Sequence, residues 1–268
     1  MQANAMKTIV KRTLLGAAGL ILVSSLVNLA WTMSGSEEWE LEIDKDGVQV
    51  YSYKAPGTSL KIFKGVTRAH YTPSHIVGGI LLDNPSLQNC KDWIPSCKAL
   101  SVVEPYTEQA QGDAVLWTLE LLPPLFADRE YSLKSYVTQD KYTGKVAINM
   151  LAAANKVPLN DCCVRISHMH NRWEITSLGE GEVEIQLTQD HSVGGFFPDL
   201  LLNLAGASTT YKLFHEMLPV LLDKEKYRTA KFDYIVDESA AWQTTGIGRI
   251  GGRLLPIRSL QETFGIKP

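Results

Sequence analysis

The chain predicts an α+β domain in which a curved antiparallel β-sheet is wrapped around a long C-terminal helix. Three observations point to it. From Ile94 to Asp190 the sequence reads as successive strands separated by short breaks, and strands joined by short links pair antiparallel. After Gly194-Gly195 the apolar residues change to helical spacing: Leu200, Leu201, Leu204, Tyr211, Phe214, Leu218 and Leu222. That helix, read from Phe197 to about Leu222 with Pro219 as its kink point, is oily enough to need an apolar partner, and the sheet face supplies one.

Taken in order, "WELEIDKDGVQVYSYKAP" (Trp39–Pro56) turns at Lys45–Gly47, and "VQVYSY" alternates as a half-buried strand. "SLKIFKGVTRAH" is a second strand, paired to it through Pro56-Gly57. "TPSHIVGGILLDN" starts a helix, with Thr72 as N-cap, Pro73 in the first turn, and Asn84-Pro85 as its end. Six strands follow: "CKALSVVEPY", "DAVLWTLEL", "REYSLKSYV", "KVAINMLAA", "VRISHMHNRWEITSL" and "GEVEIQLTQ". Val115, Trp117, Leu119, Tyr131 and Leu133 mark the apolar face, and Thr118, Glu120 and Lys134 the polar one. The body is expected over residues 38–224, with a partly flexible extension at 225–268.

Residues 1–37 differ from the rest. Lys7, Lys11 and Arg12 precede an uncharged run, Thr13–Trp31, that would be about 28 Å long as a helix. It is expected to be either a membrane anchor or a cleaved signal peptide. Either way the body is placed outside the cytoplasm, on the far side of a membrane or exported to the periplasm or the extracellular space. The net charge of −3 across 268 residues gives no nucleic-acid footprint. Of the four cysteines, Cys90 and Cys97 can close "CKDWIPSC" on itself, whereas adjacent Cys162 and Cys163 have poor geometry for pairing. Buried thiols are the plainer expectation for all four.

Five stretches in this order resemble the START family of lipid-transfer domains. They are "WELEIDKDGVQVYSY", "DNPSLQNCKDWIPSCKALSVVE", "PPLFADREYSLKSYV", "CCVRISHMHNRWEI" and "GEVEIQLTQDHSVGGFFPDLLLN". The resemblance runs from about Glu38 to Leu222, with Pro198 and Asn203 matching the usual Pro and Asn. It implies a helix-grip fold whose sheet surrounds an apolar tunnel for one lipid, and binding or transfer without catalysis. It departs at Glu130, where the family usually has Asp. It departs again where some sterol-binding members carry an acid–arginine pair: here stand Glu120 and Ser135.

On that reading the partners are a lipid of the sterol, phospholipid or fatty-acid class and a membrane surface. A sixteen-carbon chain leaving a bilayer gives up roughly 13 kcal/mol, which an apolar tunnel must offset. Candidate liners on the strands are Val115, Trp117, Leu119, Tyr131, Leu133, Met150, Ile166 and Trp173. On the helix they are Leu201, Leu204, Ala205 and Phe214, with Phe197 at the rim. Polar candidates are Glu120, Arg129, Arg165 and His168. The alternative is a hydrolase or cyclase on the same fold, which requires an acid–base pair such as Glu120 with His168 facing the tunnel. His168 and His170 form H-x-H, but no third ligand is evident, so no metal or other cofactor is expected. "GIGRIGG" (Gly246–Gly252) is read as flexible tail, because too little chain follows it for a βαβ unit.

Overall fold

The computed structural model describes residues 2–82, 86–107, 109–120, 126–237, 248–250 and 253–255. Helix α1 (Gln2–Met33) leads into strands β1 (Trp39–Lys45), β2 (Val48–Tyr53) and β3 (Ile62–Ala69). Helix α2 (Pro73–Val77) continues as a π-turn over Gly78–Leu82, and α3 (Leu87–Trp93) follows. Then come β4 (Cys97–Thr107), β5 (Gly112–Leu119), β6 (Asp128–Gln139) and β7 (Val146–Ala152). They are followed by β8 (Cys163–Arg165), β9 (Met169–Gly179) and β10 (Glu182–His191). The C-terminal helix is α4 (Asp199–Lys212), a π-turn at Leu213–Met217 and α5 (Leu218–Leu222), followed by α6 (Glu225–Arg228).

One sheet runs in the order β1-β2-β3-β10-β9-β7-β6-β5-β4, with every neighbouring pair antiparallel. The α+β fold with its closing helix is therefore as the sequence predicts. Thr72 caps α2, its side chain accepting from the His75 amide at 3.2 Å. The expected end of that helix at Asn84-Pro85 lies outside the described residues.

Three elements differ from expectation. Strand β1 forms on Trp39–Lys45, and α3 forms on Leu87–Trp93 behind a Ser86 cap. The segment read as one strand, Val164–Leu178, is two. β8 joins β6 in parallel, the Ile166 amide bonds to Glu130 O at 2.9 Å, and the chain then crosses to pair β9 with β7 and β10.

The strands alternate as a one-sided core demands. Val48 and Val50 of β2, Val183, Ile185 and Leu187 of β10, and Trp173 and Ile175 of β9 are all buried. The helix, however, is rotated relative to its leucine pattern. Asn203 donates from Nδ2 to Ser59 O (2.8 Å) and accepts the Lys61 amide on Oδ1 (2.8 Å). The Ser59 hydroxyl also bonds to Asp199. These bonds fix a face of small residues against the sheet. A Cβ on Gly206 would stand 2.0 Å from the Phe63 ring, and one on Gly65 would stand 2.4 Å from the Phe214 ring. Leu201 and Leu204, expected to face ligand or sheet, are consequently 46% and 72% exposed.

The kink expected at Pro219 is present as the π-turn. The Leu218 amide bonds to Leu213 O, five residues back, which widens the helix just before the proline. The chain beyond residue 224 folds back: Tyr227, Phe232 and Ile235 are buried, and the Ser74 amide bonds to Asp237 Oδ1 at 2.7 Å. The body thus extends to Asp237. Gly248–Ile250 and Arg253–Leu255, expected as flexible tail, pair as an antiparallel hairpin (β11 and β12).

Helix α1 is tied to the body at its end. Trp31 Nε1 donates to Ser59 O (2.9 Å), the Gly57 amide donates to Thr32 O (2.7 Å), and the Lys54 ammonium lies 4.8 Å from the Trp31 ring centre. Among the described residues no helix is long and apolar enough to cross a membrane. The side chains of Thr13, Leu14, Ala17, Leu20 and Ile21, on which the anchor-or-signal expectation partly rests, lie outside the described residues.

The close helix–sheet approach is testable. Gly206→Ala raises helix propensity, but the new methyl meets Phe63, so thermal denaturation is expected to show a loss of about 1–3 kcal/mol. Adding Phe63→Leu is expected to recover part of it. A stabilised single variant would show that the contact is not tight.

Candidate functional site

A cavity of about 370 Å³ lies between the sheet, α3 and the C-terminal helix. The sheet contributes Trp117 and Leu119 (β5), Tyr131 (β6), Met150 (β7), Met169, Asn171 and Trp173 (β9), and Leu187, Gln189 and His191 (β10). The Gly78–Leu82 turn contributes Ile80, and α3 with its following loop contributes Cys90, Trp93, Ile94 and Pro95. The helix supplies Thr209, Leu213 and Met217, the last two being the first and last residues of the π-turn. Trp93 meets Trp173 edge-on with ring centres 6.1 Å apart, and Phe214 backs Trp173 at 5.9 Å. A smaller cavity of about 120 Å³ shares Gln189, His191 and Thr209 with the first and is closed by Leu60, Phe63, Leu202 and Ala205, among others.

Among the described residues, no lysine, arginine, aspartate or glutamate lines the larger cavity. Three buried polar atoms there have no hydrogen-bond partner among those residues: Trp117 Nε1, Asn171 Oδ1 and His191 Nδ1. Burial holds the His191 imidazole below its ordinary pKa, against the opposing pull of Asp190, so the ring is neutral. Burial pushes the Tyr131 phenol up to about 12.

Beyond His191 of the cavity wall the chain turns into α4, and Arg129 holds that turn. Arg129, 2% exposed, donates from Nε to Val193 O (2.6 Å), from Nη2 to Gly194 O (3.1 Å) and from Nη1 to Ala127 O. Gly194 and Gly195 have φ of 58° and 60°, the left-handed region that glycine enters without steric cost. On the outer face Arg165 donates to Glu130 Oε2 (2.5 and 2.9 Å) and to the carbonyls of Ala154, Val157 and Pro158. Two disulfides are formed, Cys90–Cys97 and Cys162–Cys163. The second corrects the expectation that neighbouring cysteines would not pair, and together they correct the expectation of buried thiols. The Cys90–Cys97 bond ties α3 to the start of β4 and encloses Ile94 and Pro95 of the cavity wall.

Of the sequence candidates, Trp117, Leu119, Tyr131, Met150 and Trp173 stand on the larger cavity wall, and Ala205 on the smaller one. Val115, Leu133, Ile166 and Phe214 are in the solid core, each at most 1% exposed. Phe197 packs on Phe126 at 5.1 Å between ring centres. Arg129 and Arg165 spend their donors on backbone and on Glu130. Glu120 is exposed, and His168, with its side chain 57% exposed, bonds to Asp190 at 2.7 Å. The pair Glu120–His168 therefore does not face the cavity. Of the polar residues on the larger cavity wall, sequence reasoning missed Asn171, Gln189, His191 and Thr209; it also missed the apolar wall given by α3, Ile80, Met169, Leu187, Leu213 and Met217. Asn171, Gln189 and His191 carried a usable signal: each falls in phase with the buried alternation of its strand.

No family model matches the chain. It is similar to the uncharacterised protein PA1579 of Pseudomonas aeruginosa, with 24% identity over 189 residues, 69% of this chain and 89% of the relative. Among solved structures it is similar to a STAR-related lipid transfer protein from Xanthomonas axonopodis. There the TM-score is 0.60 at 20% identity, covering 69% of this chain and 99% of the other. It is also similar to human STARD10, with a TM-score of 0.57 at 14% identity, covering 73% and 77%. The fold is that of a START-like helix-grip domain.

Two outcomes follow from this geometry. Arg129→Met leaves the buried Val193 carbonyl and the half-buried carbonyls of Gly194 and Ala127 without their donor and is expected to cost about 2–3 kcal/mol in urea denaturation, with Arg129→Lys intermediate; an unaffected midpoint would show that the turn holds itself. For His191 the folded pKa lies below the unfolded value of about 6.5, so its contribution is intact above that pH and is lost as pH falls through the folded pKa. The melting temperature of wild type is expected to fall between about pH 7 and pH 5, and that of His191→Gln to fall less. Parallel curves would remove His191 as the cause.

Proposed function

We propose that this protein binds one lipid molecule in the cavity beneath its C-terminal helix and carries or presents it chemically unchanged. The observation that carries the reading is the cavity: about 370 Å³, walled by aromatic and aliphatic side chains, and without a charged group among the described residues. Among the described residues that lining does not include Glu120 or His168, the acid–base candidates for a hydrolase or cyclase. The fold shared with STAR-related lipid transfer proteins supports the same reading.

The exterior fits loading at a membrane. Phe196, Leu200 and Leu204 are 89%, 64% and 72% exposed beside the turn into α4. Asp199, in the same turn, bonds to Ser59, whose carbonyl holds Trp31 at the end of α1. An apolar α1 in or at a bilayer would bring this face to the surface. Two disulfides fit a body held outside the cytoplasm.

Native mass spectrometry of the full chain, purified in mild detergent, is expected to show one lipid adduct per molecule. Leu213→Trp, which fills the cavity, is expected to lose it while melting as a folded protein. The reading fails if no adduct appears after incubation with sterols, phospholipids and fatty acids in turn.

A further inference from the structure

The cavity is not uniformly apolar, and the arrangement of its polar atoms narrows what it takes. Asn171 on β9 lies across from Gln189 on β10, and His191 lies across from Met169. Asn171 and His191 are therefore diagonal neighbours on one sheet face, about 7–8 Å apart. Each presents an unpartnered atom, Asn171 Oδ1 and His191 Nδ1. Leaving such atoms unpaired costs about 1–3 kcal/mol each, so a ligand that pairs them recovers that amount. Gln189, between them, is already engaged by Thr210 Oγ1 at 2.9 Å. Trp117 Nε1 is likewise unpaired, but it stands on β5, beyond β7 and β6 from this corner.

Size gives a second limit. At about 370 Å³ the cavity lies toward the lower end of the roughly 300–1,000 Å³ range of sites that enclose one small ligand, which favours one short chain or compact body.

We propose that the Asn171–His191 corner seats the uncharged head of a small lipid, one bearing a hydroxyl, and that the pocket selects against lipids with an ionised head. The hydroxyl gives its proton to Asn171 Oδ1, and its oxygen accepts from His191 Nδ1–H. An ionised head brought to this corner loses its hydration: among the described residues no charged side chain lines the larger cavity, and Lys61, on the wall of the adjoining smaller cavity that His191 shares, is already paired to Glu42 at 2.8 Å, so a penalty of several kcal/mol remains. The inference rests on the lipid-binding reading.

The test uses the full chain in mild detergent and four probes of one chain length: 1-decanol, its methyl ether, decanoate and decyltrimethylammonium. Affinity is read by displacement of a fluorescent apolar dye at about pH 8, where the carboxylate is ionised. Decanol is expected to bind about tenfold or more tighter than each of the other three. Asn171→Leu, which keeps the side-chain volume, is expected to remove most of the preference for decanol over its ether. Decanoate or the ammonium binding as well as decanol would overturn the inference while leaving lipid binding intact, as would equal binding of decanol and ether. If neither dye nor any probe binds, the lipid-binding reading falls and takes this inference with it.

Discussion

The structure depends first on one buried guanidinium. Arg129 sits on β6 and spends its donors on backbone, on the carbonyls of Ala127, Val193 and Gly194. The last two belong to the turn between β10 and α4, 64 and 65 residues away in sequence. The Val193 carbonyl there is buried, and a buried carbonyl without a donor is costly. Arg129 supplies the donors and so fixes where the sheet ends and the helix begins. A Cβ on Gly195 would stand 3.2 Å from Val164 and 3.6 Å from Arg129 Nη2. The turn is therefore a pinned corner, and its glycines are there for shape.

The same strand organises both faces of the sheet. By alternation, Arg129, Tyr131 and Leu133 face the helix and cavity, while Glu130 and Ser132 face outward. All five are buried, because residues 153–158 fold over the outer face. Ser132 Oγ donates to Ala153 O at 2.9 Å, and Arg165 bridges Glu130 to three carbonyls of that segment. A buried ion pair carries a desolvation cost, and these extra hydrogen bonds are what offset it. Both arginines that looked like ligand contacts in the sequence are thus consumed by backbone and by Glu130. With the charges used outside or at the corner, the cavity is left lined by neutral groups.

How much was legible follows from the range of the interactions involved. Alternation is local, so "DAVLWTLEL" and "REYSLKSYV" by themselves mark Trp117, Leu119 and Tyr131 as concave-face residues. The same local rule reaches Asn171, Gln189 and His191, but polarity hides them: a polar residue in phase with a buried face reads as an interruption. The targets of Arg129 and Arg165 are not legible, since backbone carbonyls have no sequence signature and come from distant loops. The orientation of the helix is hidden for a related reason. Leucine spacing marks an apolar stripe without saying what it touches, and the two hydrogen bonds of Asn203 outweigh it by seating Gly206 and Thr210 inward. Leu200, Leu201 and Leu204 then have only the exterior left.

The holds on the two sides of the cavity are unequal. On the helix side, α4 is fastened at its start by the Arg129 corner, where the bond to Val193 is buried, and by the half-buried bonds of Asp199 to Ser59 and of Asn203 to Ser59 and Lys61. On the opposite side, α3 is stapled to β4 by Cys90–Cys97, which fixes the shape of that wall but not its distance from the sheet. The Lys224–Asp92 pair, with side chains 31% and 25% exposed, spans from α3 to the C-terminal segment, and pairs reached by solvent contribute little. Trp93 against Trp173 adds an edge contact of about 0.5–1.5 kcal/mol. Lifting the start of α4 leaves the buried Val193 carbonyl without its donor, whereas separating α3 from the aromatic wall breaks the Trp93–Trp173 contact and a partly solvated ion pair.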